Sequence, residues 1–375
     1  MTKPVYLDYN ATAPVKPAIR DLMMVVLGEV GNASSLHGHG RKARGRIDRA
    51  RAQIAALTGA QANYVVFTAG ATESNNAVLR AFSGQNIHIS AIEHPSVTEC
   101  APDATYIPVT KDGVIDLQAW EDILKSGNLP ALVSIMLVNN ETGVIQPVAK
   151  AARLVKTYAP DVYIHTDAAQ AAGRIAIDMP SLYADYLSLS AHKTGGPQGV
   201  GALLIAPGAQ DCKLIYGGGQ EQRRRAGTEN VAAIAAFGLA AELAGADMAD
   251  FAAKAAWRDA LEGRLCALAP ELKIYGRDTA RVANTIAMAL PGVPAQTQLM
   301  ALDLAGFSLS SGAACSSGTV RPSATLIAMG ASEDEAGCAL RLSFGWDTAQ
   351  DDLDRFFESW KAFYERIRPD LQKQA

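Results

Sequence analysis

Three short segments in the middle of this sequence carry residue types suited to chemistry on a carbonyl or imine carbon. Lys193 stands between the strand-like run 186–190 and a Gly-Gly-Pro turn, a setting in which a lysine can have a lowered pKa and form a Schiff base. Asp167 ends another apolar run, where its carboxylate could hold a protonated ring nitrogen or cap a helix. Gly70 opens a turn of small residues before a helix start, and such a start can bind an anion through its free N–H groups and its dipole.

Each of these segments also has a simple structural explanation. Lys193 could be a solvated loop charge, Asp167 a helix N-cap, and Gly70 part of a turn that only joins a strand to a helix. Together, within one series of alternating strands and helices, they match the three needs of pyridoxal phosphate: a site for its aldehyde, one for its ring nitrogen and one for its phosphate. The combination therefore predicts a pyridoxal-phosphate site.

One of the five cysteines differs from the rest in its surroundings. Cys315 lies within Ser-Ser-Gly-Ala-Ala-Cys-Ser-Ser-Gly, residues 310–318, and small residues give a thiol both access and freedom to move. This pattern favours a nucleophile over a loop cysteine without a role. An odd number of cysteines without a Cys-x-x-Cys spacing indicates neither a disulfide framework nor a local zinc site. The other four stand among apolar or helical residues and are expected to be structural thiols: Cys100, Cys212, Cys266 and Cys338.

The elements that must position these residues alternate in the manner of an α/β protein. Between residues 64 and 206, short apolar runs alternate with helical segments, which predicts a mostly parallel sheet that binds its ligand beyond the carboxyl ends of the strands. Residues 229–268 are alanine-rich and almost free of breakers, as is typical of long helices. The strands are predicted at 64–67, 87–91, 105–109, 132–138, 162–166, 186–190 and 200–205, with two more at 285–290 and 340–344.

The length of 375 residues predicts two domains. We place a large domain with a mostly parallel seven-stranded sheet at residues 14–245. Residues 1–13 and 246–375 then form a smaller α+β domain that carries the cysteine loop.

The composition is typical of a chain that folds throughout, with 49% hydrophobic residues, 19% charged residues and a net charge of -4. A net charge this small does not indicate a nucleic-acid partner. No apolar stretch reaches the ~18 residues that are needed to span a bilayer. We therefore expect a cytoplasmic protein with neither a nucleic-acid nor a membrane partner. Two basic runs stand out: residues 41–51, predicted as an amphipathic helix that ends at Gly59 with its arginines facing water, and residues 223–225.

The order of several motifs resembles the cysteine desulfurases of the class V aminotransferase family along nearly the whole chain. The matching segments are YLDYNATAP, FTAGATESNN, EHPSV, VNNETG, HTDAAQ, SAHK, GGGQEQRRRAGTEN, SSGAACSSG and RLSFG. Several of these motifs are specific to that family, and their occurrence together in this order is very specific to it. The resemblance implies the PLP-transferase fold of type I, with pyridoxal 5'-phosphate as the cofactor.

The resemblance also implies a role for each matching residue. Lys193 would carry the cofactor and move the Cα proton of the substrate, Asp167 would hold the pyridine nitrogen, and His94 would stack on the ring as a nearby acid or base. Asn140 would contact cofactor and substrate, and Arg341 would bind the substrate α-carboxylate through its planar guanidinium. A neighbouring subunit of a homodimer would add one phosphate contact. The other cofactor contacts would come from Ala71, Thr72, Gln170, Ser190 and His192, and the contact across the dimer from Thr228.

The implied reaction removes sulfur from L-cysteine and leaves L-alanine and a persulfide on Cys315. The long loop of small residues resembles the subgroup that delivers the persulfide to an acceptor protein, such as an iron–sulfur scaffold, and the Arg-x-Gly-His-His-Cys pattern of the other subgroup is absent. No resident metal is implied, although Cys315 could ligate an iron–sulfur cluster transiently with a partner. A selenocysteine lyase or a class V aminotransferase is the alternative, and an aminotransferase would not need Cys315.

Two departures from the family pattern concern the thiol and the tail. The loop reads Ser-Gly-Ala-Ala-Cys at residues 311–315 where the family has Ser-Gly-Ser-Ala-Cys, so one hydroxyl near the thiol is missing. The tail after Arg341 is shorter than in housekeeping members, which use it to dock an iron–sulfur scaffold. The sequence therefore leaves the identity of the acceptor open.

Overall fold

The computed structural model describes residues 3–312 and 321–368, and a large β-sheet lies at its centre. The strands in chain order are β1 Val5–Tyr6, β2 Val65–Thr68, β3 Ile87–Ser90, β4 Thr105–Ile107, β5 Leu132–Ser134, β6 Tyr163–Asp167, β7 Tyr186–Ser190, β8 Gly201–Ile205, β9 Lys273–Tyr275, β10 Thr285–Ala289, β11 Phe307–Ser308, β12 Ser310–Ser311 and β13 Ala339–Ser343. The helices are α1 Pro17–Leu27, α2 Gly38–Thr58, α3 Ala71–Ala81, α4 Pro95–Thr98, α5 Leu117–Lys125, α6 Val148–Tyr158, α7 Val231–Ala246, α8 Met248–Ala253, α9 Ala255–Leu268, α10 Ala295–Leu304, α11 Ala324–Ala328, α12 Glu333–Gly337 and α13 Gln350–Ile367.

The central sheet has seven strands in the order β2-β8-β7-β6-β5-β3-β4. The strands from β7 to β4 run parallel, whereas β8 runs antiparallel to both of its neighbours. Central strands such as β7 and β8 are buried at every position, as expected for a sheet with helices on both faces. The predicted α/β class and the mostly parallel seven-stranded sheet are confirmed. Since β2 lies antiparallel to β8, its carboxyl end reaches the same edge as those of β6 and β7.

The main hydrophobic core lies between this sheet and helices that include α2, α6 and α7. Ile47 and Ile54 of α2 and Phe237 of α7 are among its fully buried members. Helix α2 ends at Gly59, whose φ of +63° is a left-handed conformation that glycine adopts without strain. The predicted amphipathic helix and its end are therefore confirmed.

One arginine of α2 contradicts the prediction that the arginines of this helix face water. Arg51 is 8% exposed, and its Nη1 and Nη2 lie 3.0 and 2.8 Å from the carboxylate oxygens of Glu221. The same carboxylate accepts the N–H of Phe67 at 2.8 Å, and the guanidinium donates to the carbonyl of Val65. The prediction is wrong for Arg51 because an ion pair that also satisfies backbone groups compensates for the loss of water around the charge.

A second hydrophobic core lies in the C-terminal part of the described chain. It packs the antiparallel sheet β12-β13-β10-β9 against helices that include α9 and α13, with Leu261 and Trp360 among its buried residues, and Val5 of β1 joins it. The predicted strands at 285–290 and 340–344 are confirmed as β10 and β13. Strands β1, β9, β11 and β12 have only two or three residues each, too few to show a periodicity in the sequence. The domain boundaries stay a prediction.

Within residues 3–312 and 321–368, no single helix is long and apolar enough to cross a membrane. Only the bent pair formed by α7 with the segment Met248–Leu268 reaches that length and composition together. In the same part of the chain, no group of three or more His, Cys, Asp and Glu side chains is placed to hold a metal ion.

Replacing Arg51 with Met should destabilise the protein by about 3–5 kcal/mol, because the Glu221 carboxylate would then stay buried without its counter-ion. Urea unfolding followed by far-ultraviolet circular dichroism measures the change. Arg49 is the control, since its side chain is 72% exposed on the same helix. Arg49→Met should change the stability by less than about 0.5 kcal/mol. Equal stability of the two variants would contradict a stabilising role for the buried pair.

Candidate active site

A cavity of about 890 Å³ opens where β2, β6 and β7 end. The edge of the sheet explains its position, because parallel strands bring their carboxyl ends to one side. The structure thus brings together side chains that are far apart in the sequence. The cavity is lined by all predicted cofactor and substrate residues except Thr228, namely Ala71, Thr72, His94, Asn140, Asp167, Gln170, Ser190, His192, Lys193 and Arg341.

Lys193 lies in the 3-10 turn Ala191–Lys193, directly after β7. Its Nζ donates to the carbonyl of Asn10 at 2.5 Å and to the carbonyl of Ala11 at 2.8 Å. These two carbonyls hold the amine at the cavity wall, where a bound carbonyl compound could react with it.

Asn10 is a residue that the sequence analysis missed, and it is 1% exposed. Besides Lys193, its carbonyl accepts a hydrogen bond from Gln170 Nε2 at 2.9 Å, and its Oδ1 accepts one from Arg174 at 2.6 Å. The motif YLDYNATAP contains Asn10, but its partners lie too far along the chain for a local pattern to reveal them. Asn10 also donates to the carbonyl of Asn140, to Thr285 Oγ1 and to Ser343 Oγ, and its Oδ1 accepts a further hydrogen bond from Asn284 Nδ2 at 3.5 Å.

Asp167, the last residue of β6, is 7% exposed and has two kinds of partner. Its Oδ1 accepts the N–H of Ala169 at 2.9 Å, as a capping residue would, and its Oδ2 accepts a hydrogen bond from Asn75 Nδ2 at 2.7 Å. Asn75 Nδ2 also donates to Ser96 Oγ at 2.9 Å, and that hydroxyl lies 2.9 Å from His94 Nδ1. Asn75 therefore links the carboxylate to the imidazole, which the sequence alone did not indicate.

His94 is held as a neutral imidazole. Burial lowers the pKa of His94, and this effect exceeds the opposite one of the nearby Asp167 carboxylate. Its Nδ1 accepts the N–H of Ser96 at 3.1 Å, so the ring proton of the neutral form lies on Nε2. Such a ring is available for stacking and for proton transfer.

The turn from β2 into α3 forms the part of the cavity suited to an anion. Gly70 precedes Ala71, where α3 begins, and no side chain caps this helix, so its first N–H groups are available to an anion. Ser190 Oγ lies 3.9 Å from the point where a Cβ on Gly70 would sit. His192 is close by in the sequence, and burial lowers the pKa of His192 to about 4.

Several buried polar atoms around the cavity lack a hydrogen-bond partner among the residues described. These atoms are Gln170 Oε1, His192 Nδ1 and Arg341 Nε. Buried polar groups are almost always paired, so the cavity fits a ligand with its own polar groups. The ring hydroxyl and phosphate of pyridoxal phosphate, together with a substrate carboxylate, are suited to these positions.

Arg341, in β13, is 4% exposed and has an acidic partner that the sequence analysis did not predict. Its Nη2 lies 2.7 Å from Asp8 Oδ1, and its Nη1 donates to the carbonyl of Asn140 at 3.2 Å. Asp8 also accepts the hydroxyl of Ser310 at 3.1 Å. The guanidinium thus reaches the cavity, and a substrate carboxylate would share it with Asp8.

Thr228 and Cys315 do not belong to the site as described. Thr228 is exposed and is not among the residues that line the cavity. Cys315 lies outside the described residues. Among the other cysteines, Cys212 and Cys338 are buried, and burial raises the pKa of the Cys212 thiol to about 12. That thiol is inert at neutral pH.

The basic run 223–225 is largely neutralised within the chain. Arg224 pairs with Asp211 at 2.9 Å, and Arg225 pairs with Glu73 at 3.0 Å. Glu73 lies in the first turn of α3, so the ion pair of Arg225 joins this run to the helix start that is suited to an anion.

Comparison with known proteins identifies the family. The model of the family described as aminotransferase class-V matches residues 5–356. A cysteine desulfurase of Sinorhizobium fredii is 40% identical over 98% of this chain and 98% of its own length. The cysteine desulfurase IscS of Dictyoglomus turgidum is 37% identical over 98% of this chain and 96% of its own. The crystal structure of a NifS-like protein from Rickettsia africae has a TM-score of 0.89 at 35% identity and covers 96% of this chain and 99% of its own. The chain therefore belongs to the class-V aminotransferase family, whose cofactor is pyridoxal 5'-phosphate.

Proposed function

We propose that this protein is a cysteine desulfurase that takes sulfur from L-cysteine, releases L-alanine and carries the sulfur as a persulfide on Cys315. One observation carries the proposal: an amine, a carboxylate, a neutral imidazole and a helix start surround one cavity in a chain that matches cysteine desulfurases along nearly its whole length. The segment of small residues around Cys315 supports its role as the nucleophile.

The cofactor site follows from the contacts around the cavity. Pyridoxal phosphate, when bound, supplies an aldehyde for linkage to Lys193 and a protonated ring that draws electrons from the substrate Cα. Asp167 would keep the ring nitrogen protonated, and Asn75 holds its Oδ2 at 2.7 Å. Gln170 Oε1 would accept a hydrogen bond from the ring hydroxyl, and the N–H groups at the start of α3 would bind the phosphate.

The substrate would be oriented by Arg341, whose Nε has no partner among the described residues, with Asn140 beside it. Lys193 would take the proton from the substrate Cα once its amine is released. The carbonyls of Asn10 and Ala11, at 2.5 and 2.8 Å from Nζ, keep that amine beside the cavity. His94 is a neutral group suited to a second proton transfer.

Sulfur would leave the substrate by attack of the Cys315 thiolate on the substrate sulfur. The S–S bond forms as the S–C bond breaks, the electron pair of the broken bond passes to the carbon side, and a proton completes alanine. Thiolates are the nucleophiles that attack sulfur in proteins. An acceptor protein, such as an iron–sulfur scaffold, would then receive the sulfur, and we expect this to take place in the cytoplasm.

A homodimer is part of the proposal. Thr228 is exposed and does not line the cavity of its own chain, so the phosphate contact that the resemblance gives it would be made in a second copy. Exposed apolar side chains on α1 support a partner chain, because such side chains in a group mark interaction surfaces. They are Met24, Val25 and Leu27, which are 67%, 57% and 66% exposed.

Cys315→Ser should abolish the release of sulfide and alanine from L-cysteine with a reductant, because serine cannot hold a persulfide. The visible absorbance of the bound cofactor should stay. Cys100→Ser is the control, since that thiol is half-buried and has no assigned role, and this variant should keep both activities. Sulfide release by Cys315→Ser at the wild-type rate would contradict the proposal, and an aminotransferase would remain active without this cysteine.

Asp167→Asn should lower kcat on the order of 10²-fold while the protein still binds pyridoxal phosphate, because an amide does not stabilise a protonated ring nitrogen. Steady-state desulfurase assays and the visible spectrum give the two quantities. Asp185→Asn is the matched control: Asp185 accepts the N–H of Ile164 at 2.8 Å, just before the amino end of β7 and away from the cavity. If both variants lost activity equally, the assignment of Asp167 would be wrong.

Thr228→Val should release pyridoxal phosphate faster during dialysis than the wild type does, because one hydroxyl contact to the phosphate is lost across the dimer. Thr157→Val, at an exposed threonine of α6, should behave as the wild type. Analytical ultracentrifugation should give twice the mass of one chain for all three proteins. A monomeric wild type that retains its cofactor would rule out the shared site.

A further inference from the structure

A second cavity, of about 650 Å³, meets the active site only at Lys193. Among the residues that the structure describes, Lys193 alone lines both cavities. The walls of the second cavity come from the start of α1, the end of α7, α8 and the segment that follows β13. Its volume is in the range of about 300–1,000 Å³ that is typical of small-molecule sites. The reaction proposed above uses none of its other lining residues.

One buried arginine at this cavity lacks a counter-ion. Four arginines in the described part of the chain are buried, and three have a carboxylate oxygen 2.7 or 2.8 Å from the guanidinium, namely Arg51, Arg258 and Arg341. Arg174, the fourth, is 6% exposed and lines the second cavity. Its Nη1 donates to Asn10 Oδ1 at 2.6 Å, and no ion pair joins it to another described residue.

The charge of Arg174 therefore calls for an anion from outside the described chain. Burial, and to a smaller extent the charge of Arg341, lowers the pKa of Arg174 to about 9, so the side chain is still charged at neutral pH. A buried charge without a partner is unfavourable. A guanidinium has five N–H donors, and the hydrogen bond to Asn10 leaves donors available. An anion in the cavity would supply the counter-ion and accept these donors.

The acidic side chains of this cavity do not pair with Arg174, because each of the two that the structure describes lies beside a lysine. Asp247 Oδ2 is 2.5 Å from Lys16 Nζ. Burial lowers the pKa of Lys254 and the Asp250 carboxylate acts in the opposite direction, so these two charges interact. The start of α1, which no side chain caps, adds the positive end of a helix dipole. A ligand with one negative charge fits this arrangement, whereas the two aspartates would repel a dianion.

The rest of the wall is mostly apolar. Leu243 and Phe251 line it from α7 and α8, and Phe344 and Trp346 line it from the segment after β13. Apolar walls with a few polar groups that fix the orientation of a ligand are the usual composition of a small-molecule site. An apolar ligand body would be stabilised by burial against these side chains, while its charge pairs with Arg174.

We propose that this second cavity binds a small organic monocarboxylate with an apolar body, and that the carboxylate pairs with Arg174. The apolar body would pack against Leu243 and Phe251. The proposal goes beyond the desulfurase function and does not depend on it, because binding here requires no reaction at the cofactor.

The probe for the test is 3-phenylpropionate, and isothermal titration calorimetry with the holoenzyme measures its affinity. The matching amide, 3-phenylpropionamide, has the same apolar body without the charge. The amide should bind on the order of 10- to 100-fold more weakly, as expected for the loss of a charge-assisted hydrogen bond. The visible absorbance of the cofactor shows in each titration that the active site stays occupied.

Two variants assign the binding to this cavity. Arg174→Gln should weaken the binding of 3-phenylpropionate by the same factor and remove the preference for the acid over the amide. Arg49→Gln is its control, since the Arg49 side chain is 72% exposed and does not line the cavity. Leu243→Trp should block binding because the larger side chain fills the cavity, whereas Leu243→Met, of similar volume, should bind as the wild type does.

The Leu243 pair also decides the question if Arg174→Gln does not fold, because Leu243 lines the second cavity and not the active site. Three results would overturn the proposal: no binding of 3-phenylpropionate to the wild type, equal affinity for the acid and the amide, or wild-type affinity in either Arg174→Gln or Leu243→Trp. Sulfide release is not measured in this test, so a failure of the desulfurase proposal would be seen separately.

Discussion

The site depends above all on the N-terminal segment that carries Asn10, because this segment packs into the second hydrophobic core and also contacts the Lys193 amine. The chain before Asn10 pairs with β11 and packs apolar side chains into the second core. The Asn10 side chain then donates at 3.0 Å both to the carbonyl of Asn140 and to Thr285 Oγ1 in β10. A buried amide with this many partners has few alternative positions. The position of the carbonyl that Lys193 contacts is therefore set by the hydrogen bonds of Asn10 to Asn140 and to β10.

Buried charges in this protein separate into those that are fully paired and those with donors to spare. Arg51 forms two hydrogen bonds with Glu221 inside the core, which leaves it no evident role beyond stability. Arg341 is buried to a similar extent and pairs with Asp8, yet its Nε has no partner among the described residues, and the side chain lines the cavity. Arg281 Nε also has no partner among the described residues, but Arg281 does not line the cavity. An unused donor on a side chain that lines the cavity is what makes Arg341 a candidate ligand-binding residue.

Burial also favours the neutral form of three histidines close to Asp167 or to Lys193. Burial lowers the pKa of His94, and it lowers the pKa of both His165 and His192 to about 4. His165 lies between two hydroxyl groups, with its Nδ1 2.8 Å from Ser134 Oγ. The Asp167 carboxylate acts on the pKa of His94 and of His165, so an imidazolium at either position would compete for its charge. With these two rings neutral, the carboxylate would be left to stabilise a protonated ring nitrogen, as proposed above.

By itself, the sequence determined the strands of the central sheet and the residue types at their ends. Those features are local: an apolar run ends in a polar residue, and parallel strands gather such ends at one edge. The pattern therefore predicted that Lys193 and Asp167 would lie at one site.

Only the tertiary structure decided which groups these two residues form hydrogen bonds with. It also buried Arg51 on a helix whose arginines were expected to face water. A hydrogen-bond partner is selected by distance in space, and no local pattern records a partner that lies far along the chain. Such partners are Asn10 for Lys193, Asn75 for Asp167, Asp8 for Arg341 and Glu221 for Arg51.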